Sequence, residues 1–338
     1  MKRAVILGGT GVLGRAIARR LLDAGWQVEI TGRDASKMPA VLREAGATFE
    51  SSDRRNDADL ARTVGNGADL LVDAACYTAA DALLLLPHLA AVGSAVMLSS
   101  KAVYIDDAGN HVNSDVPPNF PLPIREDQAT MQPGNGDYES REGYGANKVA
   151  AEHVLLDSGY PVTVIRASKV HGEGAARPRE WMFVKRVLDR RPAVFLASKG
   201  AGGDHTTAAV NTAALVETIA ARPGQRILNS ADPDAPTGLD IARTIADRLD
   251  HEWEEILLDS DAHPDLGAHP WNFTPPLILD TQASTALGYQ PVGTYAQTVT
   301  AEIDWLLANP ANQPGPAEPF FDHLTDYAAE DAFLAARS

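Results

Sequence analysis

The chain has 338 residues, of which 45% are hydrophobic and 22% are charged. Such a composition is typical of a protein that buries a core, so a largely disordered chain is excluded, and the length predicts one large or two small domains. The 29 Lys and Arg against 45 Asp and Glu leave a formal net charge of −16. This balance argues against nucleic acid or an anionic membrane surface as a partner, because both require a positive field.

The single cysteine, Cys76, cannot form an internal disulfide, and no spacing of Cys and His predicts a metal site. The apolar segment after Met1 ends at Leu7, which is too short for the core of a signal peptide. No stretch reaches the roughly 18 apolar residues that a bilayer span needs. The sequence therefore predicts a cytoplasmic protein without a membrane segment.

The first half of the chain alternates short β-branched segments with helical patterns, which predicts βαβ units and a parallel sheet. Strands are predicted at Ala4–Leu7, Val28–Thr31, Thr48–Glu50, Leu70–Ala74, Ala95–Leu98, Val162–Arg166 and Arg226–Asn229. Helices are predicted at Leu13–Ala24, Asp81–Ala91, Tyr144–Asp157 and Val210–Ala221.

Two segments do not follow this alternation. Five prolines fall within Asp106–Gly143, which predicts a long loop of the kind that is either functional or disordered. The tail from Pro310 is Pro-rich, then aromatic and acidic. A docked arm, an oligomer contact and a frayed end all fit this tail.

The first predicted strand leads directly into Gly8-Gly9-Thr10-Gly11-Val12-Leu13-Gly14, which a helical pattern follows. Glycines at positions 8, 11 and 14 permit a tight turn, close approach of the backbone to a pyrophosphate, and close packing of helix on sheet. The helix N-terminus adds free N–H groups and a favourable dipole. We expect a dinucleotide to contact Gly8, Thr10, Gly11, Val12, Leu13 and Gly14. A tight βα turn without a ligand is the alternative.

These features together predict an α/β fold: a Rossmann-type doubly wound parallel sheet with a smaller, irregular C-terminal substrate domain. We expect residues 1–167 to form the dinucleotide-binding domain, with residues 205–231 returning to it. Residues 168–204 and 232–338 are then the substrate-binding region.

The end of the second predicted strand bears on the choice of cofactor. NAD sites place an Asp or Glu there for the ribose hydroxyl, whereas NADP sites use Arg for the 2′-phosphate. Arg33 favours NADP, while Asp34 favours NAD unless it caps a helix that starts near Ser36. We expect NADP, with NAD open. Asp53 is a candidate for the adenine amino group, and a solvated loop acid is an equal alternative.

Tyr144 and Lys148 stand at positions i and i+4 of a predicted helix and so share one face. A lysine ammonium near a phenol lowers its pKa from about 10, which suits proton exchange with a substrate oxygen. Ser99 and Ser100 end a predicted strand, where open α/β sheets bind their ligands. A hydroxyl there could hold the substrate oxygen, and turn formation is the alternative.

Gly8-x-x-Gly11-x-x-Gly14, Ser100 within Ser99–Tyr104, and Tyr144-x-x-x-Lys148 resemble the extended short-chain dehydrogenase/reductase family, including its NAD-dependent epimerase/dehydratase branch. Arg166–Gly172 is similar to that family's Arg-Pro-x-x-Val-Tyr-Gly segment. The resemblance covers roughly residues 1–250. It implies that Tyr144 is the acid/base, that Lys148 also binds the nicotinamide ribose, and that Ser100 orients the substrate. Ala74 and Ala75 are implied to line the cofactor channel.

The chain departs from the family pattern at three places. Lys101 and Ala102 stand where the dehydratases carry an acidic pair, which argues against dehydration. His205 stands in place of the arginine that binds a nucleotide diphosphate, which weakens the case for a nucleotide sugar. His171 replaces the family's tyrosine, with packing as the alternative role. We expect substrate contacts from Lys101, His171, Arg179, Trp181 and His205.

Arg177 and Arg179 could hold an acidic or phosphorylated substrate, or could offset local acids at a helix start. The main functional hypothesis is an NADP-dependent oxidoreductase that interconverts a ketone or aldehyde and an alcohol. One alternative is an NAD(P)-dependent epimerase of a sugar or nucleotide sugar. A second is a non-catalytic cofactor-binding regulator. The expected partner is a small-molecule substrate, and a homodimer, common in the family, is left open.

Overall fold

The computed structural model describes residues 1–65, 67–259, 263, 266–315, 318–325 and 327–337. The strands are β1 Arg3–Leu7, β2 Gln27–Gly32, β3 Thr48–Ser51, β4 Leu70–Asp73, β5 Ala95–Ser100, β6 Val162–Ala167, β7 Lys169–His171, β8 Ala193–Leu196, β9 Thr206–Ala208, β10 Arg226–Ser230 and β11 Glu254–Leu257. The helices are α1 Val12–Asp23, α2 Ala40–Glu44, α3 Asp57–Val64, α4 Ala79–Leu85, α5 Arg141–Leu156, α6 Trp181–Leu188, α7 Ala209–Ala221, α8 Gly238–Arg248, α9 Gln282–Ala286, α10 Tyr295–Thr298, α11 Thr300–Ala308, α12 Pro319–Asp322 and α13 Ala328–Arg337.

A seven-stranded parallel sheet in the order β10-β6-β5-β4-β1-β2-β3 forms the centre of the molecule. The strand order reverses between β1 and β4, which pair through Ala4 and Leu70. Such a reversal opens a crevice at the carboxyl ends of the strands, where ligands of open α/β sheets bind. The predicted doubly wound sheet is confirmed.

Helices cover both faces of the sheet because its strands are apolar on both sides. On one face, Ile17 of α1 and Leu215 of α7 are buried against Ile6 of β1. On the other face, Leu60 of α3 and Leu155 of α5 are buried in a second core. After β6 the chain leaves the sheet, and it returns at β10, which pairs with β6. This later segment therefore forms the edge strand of the sheet.

Two predicted helices differ at their bounds for local reasons. The helix predicted at Asp81–Ala91 begins at Ala79, since Thr78 forms a capping box with Asp81. It changes to a 3-10 helix at Leu86, because Pro87 lacks the N–H that an α-helix would use. Helix α5 begins at Arg141, where the Ser140 side chain accepts a hydrogen bond of 2.9 Å from the Gly143 amide.

The long Pro-rich loop between β5 and α5 is ordered by its own polar contacts. The Asp106 carboxylate accepts hydrogen bonds from the amides of Ala108 at 3.0 Å, Asn110 at 2.8 Å and Asn119 at 2.8 Å. Farther along, the Ile124 amide donates to the Ile278 carbonyl at 2.7 Å. The loop is therefore joined to the C-terminal half of the chain and can contribute side chains to a site.

The C-terminal half has a core of its own around Phe183, Ile241 and Trp271. Beside it, β8 pairs with β11 and β7 pairs with β9, both parallel. The tail is docked on this half: Phe321 is only 2% exposed, and Glu330 forms a buried ion pair of 2.6 Å with Arg186. Among the described helices, none has both the length and the apolar character of a bilayer span.

Candidate active site

The glycine-rich turn between β1 and α1 has the geometry of a phosphate-binding turn. Gly8 has a φ of +76°, which favours glycine. A Cβ on Gly14 would lie 2.6 Å from the Gly9 Cα, so this glycine lets α1 pack on the turn. Gly9 is needed as well, since its Cβ would lie 2.5 Å from the Ile30 Cβ. The spacing of glycines at positions 8, 11 and 14 does not predict this requirement at Gly9.

Gly11 has a different role, because packing does not demand it. Within the described residues, a Cβ on Gly11 would have only the Gly8 carbonyl oxygen within 4 Å, at 3.7 Å. Gly11 is the N-cap of α1 and provides no side-chain cap, so the first N–H groups of the helix stay available. This open backbone surface fits a pyrophosphate.

A cleft of about 690 Å³ begins at this turn and crosses the carboxyl ends of β4, β5 and β6. Predicted site residues that line it are Gly8, Gly11, Val12, Leu13, Gly14, Ala74, Ser100, Lys101, Tyr144, Lys148 and Arg179. The structure therefore brings the glycine turn and the Ser, Tyr and Lys residues to one cavity, which is the arrangement a dinucleotide and a small substrate require together.

Lys148 is held in a defined position. Its Nζ donates to the carbonyl oxygens of Cys76 at 2.7 Å and Leu98 at 3.0 Å. The same Nζ lies 4.3 Å from the ring centre of Tyr77 and 5.9 Å from that of Tyr144. An ammonium has three N–H donors, so one donor remains for a ligand. Burial lowers the pKa of Lys148 below its ordinary value.

The pKa of the Tyr144 phenol is raised, and the expectation that Lys148 lowers it is wrong for this structure. Burial is the largest cause, because the phenolate is disfavoured away from water. A hydrogen bond with Ser100 acts in the opposite direction and lowers the pKa. Without a bound dinucleotide, the phenol therefore keeps its proton near neutral pH.

The two adjacent serines have different environments. Ser99 Oγ donates a 2.5 Å hydrogen bond to Glu152, which in turn forms a buried ion pair of 2.6 Å with Arg166. Ser100 Oγ accepts from the Ala102 amide at 3.1 Å and lies beside Tyr144. Ser99 thus belongs to a structural network, and Ser100 is the serine available to a substrate.

Thr10, Arg33, Asp53 and Ala75 do not line the cleft. Arg33 is exposed, at the end of β2. Asp34 caps a short 3-10 helix by accepting from Ser36 N at 2.9 Å and Ser36 Oγ at 2.6 Å, and these bonds lower the pKa of Asp34. Asp53 is exposed and accepts a 3.0 Å hydrogen bond from the Arg55 amide.

Three of the five predicted substrate residues lie outside the cleft lining. Trp181 is buried in the C-terminal core. His171 is 1% exposed, with Nε2 3.0 Å from Asp232 Oδ2. His205 Nε2 is 2.9 Å from the Asp232 carbonyl oxygen, while its Nδ1 accepts from the Leu279 amide at 3.1 Å.

The hydrogen bonds of His205 explain why it does not act in place of the family's arginine. Both ring nitrogens are used by the backbone, and burial lowers the pKa of the imidazole. The ring is therefore neutral and structural. Its place in the motif had predicted a substrate contact. The structure buries the ring instead, and a position in the sequence does not reveal burial.

Several residues lining the cleft were not predicted. They include Tyr77, Asn113, Lys169 and Asp204. Tyr77 stacks on Tyr138 with ring centres 5.4 Å apart. It follows the end of β4, and the rule that ligands bind beyond strand ends could have identified it. Asp204 had no comparable signal in the sequence.

A buried polar group lies behind the cleft. Atoms of His171, Glu180 and Glu302 lie within 4.8 Å of one another, a spacing that could hold a metal ion, although the sequence predicted none. Burial raises the pKa of Glu302 well above its usual range, and the Gly172 amide donates to it at 2.5 Å. A protonated Glu302 eases the repulsion between the carboxyl groups.

Residues 4–200 match the sequence model of the NAD dependent epimerase/dehydratase family. The chain belongs to this family. The resemblance drawn from its motifs is thereby confirmed, and the protein is an enzyme that uses NAD or NADP. No curated protein sequence matches it.

Solved structures of the same fold include UDP-glucose 4-epimerase from Thermotoga maritima, at 13% identity and a TM-score of 0.68, with 91% of this chain and 99% of that chain covered. The dTDP-glucose 4,6-dehydratase from Bacillus anthracis is 12% identical with a TM-score of 0.67, covering 92% and 98%. WbmG from Bordetella bronchiseptica, solved with NAD and UDP, is 17% identical with a TM-score of 0.67, covering 90% and 94%. The TM-scores show that the fold is shared, and at these identities the likeness extends to the fold alone.

Proposed function

We propose that this family member is an NAD(P)-dependent epimerase that acts on a hydroxyl-bearing carbon of a sugar or sugar derivative. The observation that carries the proposal is one cleft containing the glycine turn, Ser100, Tyr144 and Lys148. The family match and the nucleotide-sugar epimerases among proteins of the same fold support epimerisation over net reduction.

The residues divide the proton chemistry among them. Epimerisation needs Tyr144 to accept the hydroxyl proton first and to return it afterwards, so the phenolate must form once cofactor and substrate are bound, a form that the Lys148 ammonium and an oxidised nicotinamide would favour. Ser100 holds the substrate oxygen beside Tyr144. Lys148 is fixed by two backbone carbonyls, with its remaining donor free for the nicotinamide ribose. A bound dinucleotide supplies the acceptance and return of hydride.

A net NADP-dependent reductase is the second candidate, and Arg33 favours it. Arg33 is exposed after β2, while Asp34 caps a short helix, its Oδ1 accepting two bonds from Ser36. We therefore propose NADP as the cofactor. We also propose that the dinucleotide is bound by residues 1–167 and 205–231, and the substrate by the rest of the chain.

Cofactor stoichiometry tests the proposal. The protein is supplied with a panel of sugars and nucleotide sugars and a small amount of NADP⁺ or NAD⁺, and products are followed by NMR together with absorbance of the reduced cofactor. We expect a new epimer with no net change in cofactor. One equivalent of NADPH formed per alcohol oxidised, or consumed per carbonyl reduced when NADPH is supplied with a ketone or aldehyde, would instead identify the oxidoreductase. Tight dinucleotide binding without turnover of any substrate would favour the regulatory alternative.

A further inference from the structure

Four cationic side chains lie at the end of the cleft that the C-terminal half forms. We call Lys101, Lys169, Arg177 and Arg179 the basic cluster; all four line the cleft that contains Ser100 and Tyr144. In the described part of the chain, Asp204 is the single carboxylate that lines this cleft. This local excess of positive charge contrasts with the net charge of −16 of the whole chain.

Two lysines share the one carboxylate. Lys169 Nζ lies 2.7 Å from Asp204 Oδ2, and Lys101 Nζ forms an ion pair with Asp204 Oδ1. Lys101 is only 7% exposed, and Asp204 only 2%. One buried carboxylate cannot neutralise two ammonium groups, and burial, with the neighbouring cations, lowers the pKa of both lysines well below its usual value. An anion held beside them would favour their charged forms.

Arg179 adds to this excess. Its guanidinium makes one long hydrogen bond, from Nη1 to the Val170 carbonyl oxygen at 3.5 Å. No carboxylate in the described residues forms an ion pair with it, although Glu180 and Glu302 are near enough to raise its pKa against the effect of burial. A guanidinium has five donors in a planar fork, which matches a carboxylate or a phosphate.

The basic cluster and the glycine turn belong to different elements of the same cleft. Lys101 directly follows Ser100, whose hydroxyl contacts Tyr144. Lys169 belongs to β7, while the glycine turn lies between β1 and α1. Phe273 also lines the cleft, 5.7 Å from Lys169 Nζ, and partly screens this ammonium from water. A group held here would lie in the same cleft as Ser100 and Tyr144.

We propose that the basic cluster is a subsite for an oxyanion, a carboxylate or a phosphate, carried by the substrate near the carbon that reacts beside Tyr144. This inference rests on the proposed function for the identity of the reacting carbon. The substrate class is then an acidic or phosphorylated sugar derivative. Charge-assisted hydrogen bonds to such a group are strong, and the guanidinium of Arg179 has donors left to form them.

Binding of small anions tests the subsite without turnover. Protein saturated with NADP⁺ is titrated with oxalate, with inorganic phosphate and with neutral oxamide at constant ionic strength, and the shift in Tm and the Kd are measured. We expect saturable binding of at least one anion and none of oxamide. Tighter binding of oxalate indicates an acid substrate, and tighter binding of phosphate indicates a phosphorylated one. Absence of saturable binding by both anions overturns the proposal.

Variants then locate the anion. Arg179→Met and Lys101→Met should each weaken anion binding about tenfold or more, whereas Lys199→Met, an exposed lysine outside the cleft, should leave it unchanged. Asp204→Asn should have the opposite effect and tighten binding, because it removes the competing carboxylate. If the basic cluster had only a structural role, anion affinity would not rise in Asp204→Asn while it falls in Arg179→Met and Lys101→Met.

The affinity for NADP⁺ shows whether the anion binds at the basic cluster rather than at the dinucleotide site. Arg179→Met should leave the Kd for NADP⁺ within about twofold, since the glycine turn is untouched. Equal losses of NADP⁺ and anion affinity, or weaker anion binding in Asp204→Asn, would overturn the subsite. If anion binding follows the variants while no epimerisation is found, the subsite stands and the proposed function fails.

Discussion

At the scale of single residues, burial decides the charge of Tyr144. Its raised pKa keeps the phenol protonated, while Ser100 partly offsets the effect of burial. Lys148 is 5.9 Å from the ring centre, and its ammonium is engaged by the carbonyl oxygens of Cys76 and Leu98. The spacing of Tyr and Lys alone had suggested the opposite direction, because it contains no information about desolvation.

Tyr144→Phe removes the proton donor and leaves the ring in place. We expect turnover to fall by about 10²–10⁴-fold, which is the usual contribution of a positioned acid/base, while the Kd for the dinucleotide stays unchanged. Steady-state rates and a fluorescence titration measure the two effects. Tyr160→Phe removes a hydroxyl outside the cleft and should behave as the parent. Full activity of Tyr144→Phe on the true substrate would contradict the assignment.

Arg33→Ala tests the choice between NADP and NAD. Loss of a charge-assisted bond to the 2′-phosphate should weaken NADPH about tenfold or more and leave NADH nearly unchanged. Direct titration of both dinucleotides gives the comparison. Arg43→Ala, an exposed arginine of α2, is the matched control. Equal losses for the two dinucleotides would argue against a contact with the 2′-phosphate.

At the scale of elements, the glycine turn combines two separable functions. Gly14 permits α1 to approach the turn, because a Cβ there would lie 2.9 Å from the Gly8 carbonyl oxygen. Gly11 leaves backbone N–H groups accessible at the start of the same helix. We therefore expect Gly14 to contribute to folding and to cofactor binding, and Gly11 to cofactor binding alone.

Substitution by alanine separates these functions. Gly14→Ala should lower the free energy of unfolding by about 1–3 kcal/mol, the usual cost of overpacking, and should also weaken dinucleotide binding. Gly11→Ala should keep the stability of the parent, because its φ of −77° suits alanine, and should lose affinity for the dinucleotide. Denaturant titration and ligand titration give the two values. A large loss of stability in Gly11→Ala would contradict this separation.

At the scale of the whole molecule, the C-terminal tail completes the core of the C-terminal half. The ring of Phe333 meets that of Phe195 edge to face at 5.4 Å. Glu330 is buried with Arg186, whereas its neighbour Asp331 is 59% exposed in its pair with Arg191. Truncation or loosening of this tail would therefore expose apolar surface and leave a buried cation unpaired.

Glu330→Ala should destabilise the protein by about 3–5 kcal/mol, because Arg186 would stay buried without its partner. Asp331→Ala removes an acid of the same helix from an exposed pair and should cost about 1 kcal/mol or less. Urea denaturation and limited proteolysis near α13 measure the difference. Equal effects of the two substitutions would show that burial of the Glu330 pair does not hold the tail.

The sequence by itself determined the sheet, most of its helices and the glycine turn. These features depend on neighbours along the chain: alternation of apolar residues, glycine conformation, and the position of a motif between a strand and a helix. Helix ends were less accurate at Thr78 and Pro87, where a cap and a missing N–H changed the bounds.

Only the tertiary structure decided which polar residues face the cleft. Lys101, Lys169 and Asp204 lie far apart in the sequence and meet because β5, β7 and the segment before β9 converge at one end of the cleft. His205 fits a motif position, yet folding buries it among backbone groups. Charge, burial and contact across the chain depend on packing, and local sequence patterns do not specify them.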